Sequence, residues 1–121
     1  DWDIRCVAIF ENPMAHSTVM MRADVVRALG GYRIDYRTTQ DYELWIRIIG
    51  RGKVKNLNDR LVDIRRHQHS ISARLRTTQI SNTIMIQRSY AEQFLGINNQ
   101  ETIDAFVDIL NYLFESRFPL L

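Results

Sequence analysis

The ten residues Gln40 to Ile49 constrain this chain more than any others. At about 100° per residue they place Tyr42, Trp45, Ile46 and Ile49 on one apolar stripe, widened by Leu44 and Ile48, with Gly50 and Gly52 closing the segment. Such a segment is a helix that must bury one side against other elements. Glu43 and Arg47 stand four apart on the opposite side, where they are expected to pair at the surface. Asp41 falls beside Trp45 and Ile48, in the first turn and at the edge of the apolar side. A carboxylate there has two readings. It is a first-turn acid favoured by the helix dipole and exposed backbone N–H groups, or a general base held at the rim of a cavity. Spacing alone leaves both open.

The flanking sequence is sparsely punctuated, with two prolines and five glycines in 121 residues. Residues 3–10 form a short apolar stretch, helix or strand, broken by Asn12-Pro13. Residues 17–21, Ser-Thr-Val-Met-Met, have the composition of a strand. Residues 23–29 predict a short helix stopped by Gly30-Gly31, followed by a loop to Thr39. Residues 54–57 and 61–65 predict two further short strands. Beyond Ser72 the pattern turns helical. Ile80, Ile84, Ala91, Phe94 and Leu95 share one side of a helix over 78–95. Ile103, Phe106, Val107, Leu110, Leu113 and Phe114 share one side of a second over 100–115, opposite Asp104, Asp108, Asn111 and Glu115. These read as packing helices.

Composition narrows the classes. Hydrophobic residues at 45% and charged residues at 25% are those of an ordinary globular chain, and a net charge of +2 is too small to argue for nucleic acid. Arg60, Arg65, Arg66, Arg74 and Arg76 nevertheless cluster with His67 and His69, as a phosphate-facing patch or a solvated strand and turn. Cys6 is the only cysteine, which rules out an internal disulfide and fits a reducing compartment. No apolar run approaches the ~20 residues of a membrane helix. No strand–glycine-loop–helix unit for cradling a phosphate is present.

Three blocks in order carry a resemblance. Asn12-Pro13-Met14-Ala15-His16-Ser17-Thr18-Val19-Met20-Met21-Arg22 resembles the stretch leading into the acceptor site of family 2 glycosyltransferases. Leu29-Gly30-Gly31-Tyr32 followed by Thr39-Gln40-Asp41-Tyr42-Glu43-Leu44-Trp45 resembles that family's Gly-Gly-Tyr … Glu-Asp-Tyr-x-Leu-Trp core. Leu61-Val62-Asp63-Ile64-Arg65-Arg66-His67 leading to Ser70-Ile71-Ser72 is similar to its third block, with Ile64 in place of the usual Tyr and Gln68 in place of the usual Pro.

The resemblance implies the acceptor-binding, catalytic-base part of an inverting transferase of the GT-A fold, which moves a sugar from a nucleotide diphosphate to an acceptor hydroxyl. The expected fold class is therefore α+β: a helix-rich fragment with a few short strands, its residues 1–72 forming the acceptor and base portion and 73–121 the C-terminal amphipathic helices. Asp41 takes the place of the family's general base. Gln40 stands where the family has Glu, keeping size and hydrogen bonding but dropping the charge. His16 and Ser17 become acceptor-pocket or base-orienting groups, and Trp45 a candidate floor for a sugar, against its competing role as core. Arg65 would approach the donor diphosphate, and His67 would be a ligand to its divalent metal, Mg or Mn. The implied partners are a nucleotide sugar, an acceptor glycan or lipid-linked sugar, and an N-terminal donor-binding half that this sequence does not show, so the piece is expected to be inactive alone. The implied setting is bacterial polysaccharide biosynthesis in the cytoplasm, including the inner membrane face. Asp1-Trp2-Asp3 matches the family's metal motif only by letter, lying too close to Asn12-Pro13. Apolar surface left uncovered in such a piece favours self-association. The alternative from another class is a non-catalytic helical interaction module. The enzyme reading requires Asp41, His67 and the start of segment 17–21 to converge.

Overall fold

The structure is a computed structural model describing residues 2–65 and 75–117. Helix α1 (Trp2–Phe10) leads through a one-turn 3-10 helix at His16–Thr18 to α2 (Ala23–Ala28). A second 3-10 turn at Ile34–Tyr36 precedes α3 (Gln40–Ile49). Irregular chain follows to residue 65. The long helices α4 (Arg76–Phe94) and α5 (Gln100–Arg117) complete the described residues.

These residues correct the expected fold class: they are helical, with no strand and no sheet among them. A strand is stable when a neighbour pairs its N–H and C=O groups in a ladder, and among the described residues the segments 17–21, 54–57 and 61–65 form no strand. Residues 16–18 satisfy their backbone locally instead. Thr18 N and Oγ1 both donate to Ala15 O, at 2.9 and 2.8 Å. Val19 and Arg22 keep extended dihedrals without a ladder. Strand-like composition reports a side-chain preference, and here no pairing realises it.

Helix α3 is the hub. Tyr42, Leu44, Trp45, Ile46 and Ile49 are all buried in one core with Ile4 and Ala8 of α1 and Ile86 and Tyr90 of α4. The last carbonyls of α1 have no partners within their own helix, and the core supplies them. Tyr42 donates its hydroxyl to Ala8 O (2.7 Å), and Gln87 donates from Nε2 to Phe10 O (3.0 Å). Tyr90 donates to Arg5 O at 3.3 Å. Burial pushes the phenols of Tyr42 and Tyr90 above the ordinary tyrosine range, because the charged form would lose its water.

These polar bonds explain a second correction. The inward face of α4 is Ile86, Gln87, Tyr90 and Ala91, while Ile80, Phe94 and Leu95 of the expected apolar stripe are exposed. Gln87 turns inward because α1 ends at Phe10 and that carbonyl needs a donor, while Tyr90 packs in the core and adds a bond to Arg5 O within α1. Helix α5 follows its pattern more closely, burying Ile103, Val107 and Leu110. It packs along α4, and Asp104 pairs with Arg88 across the two helices at 2.6 Å.

The Gly30-Gly31 stop behaves as its composition predicts. Gly30 and Gly31 have φ of 80° and 69°, a left-handed conformation that glycine adopts without a Cβ penalty. Gly31 N reaches back to Val26 O at 2.9 Å and Gly30 N to Arg27 O at 3.0 Å, closing α2.

Candidate functional site

The site is built on the first turn of α3. Thr39 is the N-cap residue, buried, and its Oγ1 has no partner among the described residues. Gln40, with its amide nitrogen turned toward the acceptors beside it, donates to Arg37 O (2.6 Å) and Tyr36 O (3.0 Å) and so ties the preceding 3-10 turn to the helix start. Asp41 follows, half-buried, where the free backbone N–H groups of the helix favour negative charge.

One of the two carboxylate oxygens of Asp41 is held. Asn12 donates from Nδ2 to Asp41 Oδ2 at 2.9 Å, while its own Oδ1 accepts from Met14 N at 3.3 Å. That second bond is a local turn of the kind asparagine makes before proline, and it fixes the amide that reaches Asp41. Asp41 Oδ1 accepts no hydrogen bond among the described residues. The carboxylate is therefore oriented by one oxygen and available through the other.

His16 lies one helical turn further along the same ridge. Its ring meets the edge of Trp45, four residues after Asp41, with centroids 6.0 Å apart. Its Nε2 shares a 2.8 Å hydrogen bond with the Tyr32 hydroxyl, and the two rings meet edge to face at 5.4 Å. Residues 12–18 thus run beside the exposed edge of α3, contacting it at Asp41 and again at Trp45. Beside the same turn a groove of about 280 Å³ opens among Tyr32, Ile34, Arg37 and Gln40. Asn12 and Tyr32 are the two site residues that the sequence pattern did not single out. Asn12 enters the sequence reading as a proline break and as the first residue of a resemblance block, without a role of its own, although asparagine before proline is itself a turn signal with a free amide.

The other candidates divide. Ser17 is exposed within the 3-10 turn. Trp45 is fully buried at 0% exposure, so its ring backs the site from within the core and offers no face to solvent. Arg65 is exposed in irregular chain. His67 lies outside the described residues, so its convergence with Asp41 has no geometry here. Among the described residues no three His, Cys, Asp or Glu side chains come together as a metal site. No described helix is long and apolar enough to cross a membrane.

On the far side of α3, Glu43 and Arg47 do pair, but not at the surface. Their side chains are 8% and 14% exposed. Arg47 donates from Nε to Glu43 Oε1 (2.8 Å) and from Nη2 to Oε2 (2.6 Å). It also donates to Leu29 O (2.6 Å) and Gly31 O (2.7 Å), which clamps the glycine turn onto α3. The α2 end covers this face, and periodicity within α3 carries no information about that cover.

No family model matches the chain, and no solved structure matches it. Two bacterial proteins do. The chain is 35% identical over 80 residues to EpsE of Bacillus subtilis (strain 168), which is named as a glycosyltransferase; the match covers 64% of this chain and 29% of EpsE. It is 32% identical over 87 residues to AmsE of Erwinia amylovora, named as an amylovoran biosynthesis glycosyltransferase, with 71% of this chain and 32% of AmsE covered. Over this stretch the chain is related to glycosyltransferases. It spans less than one third of the length of either relative.

Proposed function

We propose that this chain supplies the acceptor side of an inverting sugar transfer, of the family 2 kind, with Asp41 as general base. The observation that supports it is the state of the carboxylate: Oδ2 held by Asn12 and Oδ1 unengaged among the described residues, at a helix N-terminus with free N–H groups behind it. In the proposed step, Oδ1 takes the proton of an acceptor hydroxyl. The hydroxyl oxygen then forms its bond to the anomeric carbon of the donor sugar as the bond from that carbon to the diphosphate oxygen breaks, from the opposite face. Asn12 keeps the carboxylate turned toward the acceptor. His16 and Tyr32 stand where a second acceptor hydroxyl would be bound, with Ser17 and Gln40 flanking. The donor nucleotide sugar, its divalent metal (Mg or Mn) and the roles of Arg65 and His67 belong to the same proposal. So does the acceptor, a glycan or lipid-linked sugar in bacterial polysaccharide assembly.

The kinship to proteins named as glycosyltransferases supports this reading independently of the geometry. A second reading, a helical interaction module without chemistry, draws on the helical fold of the described residues and on exposed apolar side chains such as Met20 and Ile34, 98% and 86% exposed. One experiment separates the two. In the active transferase carrying this sequence, Asp41→Asn lowers sugar transfer by about 10² to 10⁴, the range of positioned acid–base catalysis, while binding of the nucleotide sugar persists. Near-normal transfer by the variant would remove the base and leave the module.

A further inference from the structure

A cavity of about 360 Å³ lies between α3, α4 and the turn after α2, on the side of α3 that faces away from Asp41. Its size is that of a small-molecule site. One wall is apolar: Ile46 and Ile86, with Phe94 stacked on Tyr90 (centroids 4.8 Å apart) and lying so close over Gly50 that a Cβ there would displace its ring. The other wall is cationic, formed by Arg33, Arg47 and Arg51 around the single carboxylate of Glu43.

The charges do not balance. Arg47 already occupies both Glu43 oxygens. Arg33, 57% exposed, reaches only Oε1 at 3.3 Å, and the Arg51 side chain has no ion pair among the described residues. Three guanidinium groups against one carboxylate leave the lining two positive charges in excess, carried at its exposed side by Arg33 and Arg51. Guanidinium forks match phosphate oxygens in geometry as well as charge. Ser89 and Gln93 add polar groups on the α4 side.

We infer that this cavity is a binding site for a small phosphate ester, with Arg33 and Arg51 holding the phosphate and the Ile86–Phe94 wall receiving the organic group. The site is separate from Asp41 and does not depend on the proposed catalytic role. Phenyl phosphate is a suitable probe, because it joins a phosphate to a flat apolar body. Titrated into the purified chain at constant ionic strength and followed by amide NMR, it is expected to shift the Ser89 and Gln93 resonances saturably, and to bind more tightly than inorganic phosphate or phenol. Arg51→Gln is expected to weaken binding by about tenfold, the loss of one charge-assisted contact. Lys55→Gln, which removes an exposed charge outside the cavity, should leave it unchanged with the helical circular dichroism of both variants intact. Non-saturating shifts, equal weakening by both variants, or equal affinity for inorganic phosphate would overturn the inference.

Discussion

Two acids in the first turn of α3, two residues apart, have opposite fates. Glu43 is buried with both oxygens taken by Arg47, and the pair is bolted to two carbonyls of the glycine turn. Asp41 is half-buried, held through one oxygen by an exposed asparagine. The same helix dipole favours both. What separates them is the neighbour on each face: the end of α2 seals the Glu43 side, whereas a single strap, residues 12–18, crosses the Asp41 side. One acid is structural because nothing of it is left over. The other has an oxygen to spare.

The comparison breaks most sharply at Glu43. Glu43→Gln keeps the shape but leaves the Arg47 cation without its counter-charge, and removing one member of a buried pair is strongly destabilising, by about 3–5 kcal/mol; urea unfolding followed by helical circular dichroism measures it. A loss below about 1 kcal/mol would place this pair with weak surface bridges.

A smaller effect belongs to the core between the two acids. Tyr42→Phe leaves Ala8 O without its donor, at about 1–2 kcal/mol, and also changes the response to alkali. The unfolded phenol titrates near about 10, and burial holds the folded phenol protonated to higher pH. Between those values the unfolded chain binds fewer protons, so stability falls as pH rises above that of the free phenol. Unfolding midpoints compared at neutral and alkaline pH should show a steeper decline in the parent than in Tyr42→Phe. Equal slopes would mean that Tyr42 does not hold its proton.

The smallest stability change is expected at Asp41. Asp41→Asn should shift the unfolding free energy by less than about 1 kcal/mol, the scale of a helix-dipole contact. A loss as large as that of Glu43→Gln would erase the distinction and make Asp41 structural too.

Much of this was legible beforehand. The α3 stripe, the Gly30-Gly31 stop and the buried face of α5 follow from periodicity and glycine conformation within single segments. The Glu43–Arg47 pair was visible as a four-residue spacing, but its burial was not, because the cover comes from α2. The inward face of α4 was legible at Ala91 but not at Gln87, which is buried to serve the terminal carbonyl of Phe10, a demand set 77 residues away. The strands expected at 17–21, 54–57 and 61–65 failed for the same reason in reverse: composition named a preference that needs a partner. In the site, Asp41, His16 and Gln40 were picked out in advance. Asn12 and Tyr32 were not, since each acts through one side-chain bond to a residue 29 or 16 positions away.

The Arg47 clamp has a reach beyond its own pocket. By gripping Leu29 O and Gly31 O it sets the height of the turn from which Tyr32 projects, and Tyr32 in turn meets His16. A substitution on the hidden side of α3 is therefore expected to tilt the aromatic pair on the open side, because both faces take their position from the same glycine turn.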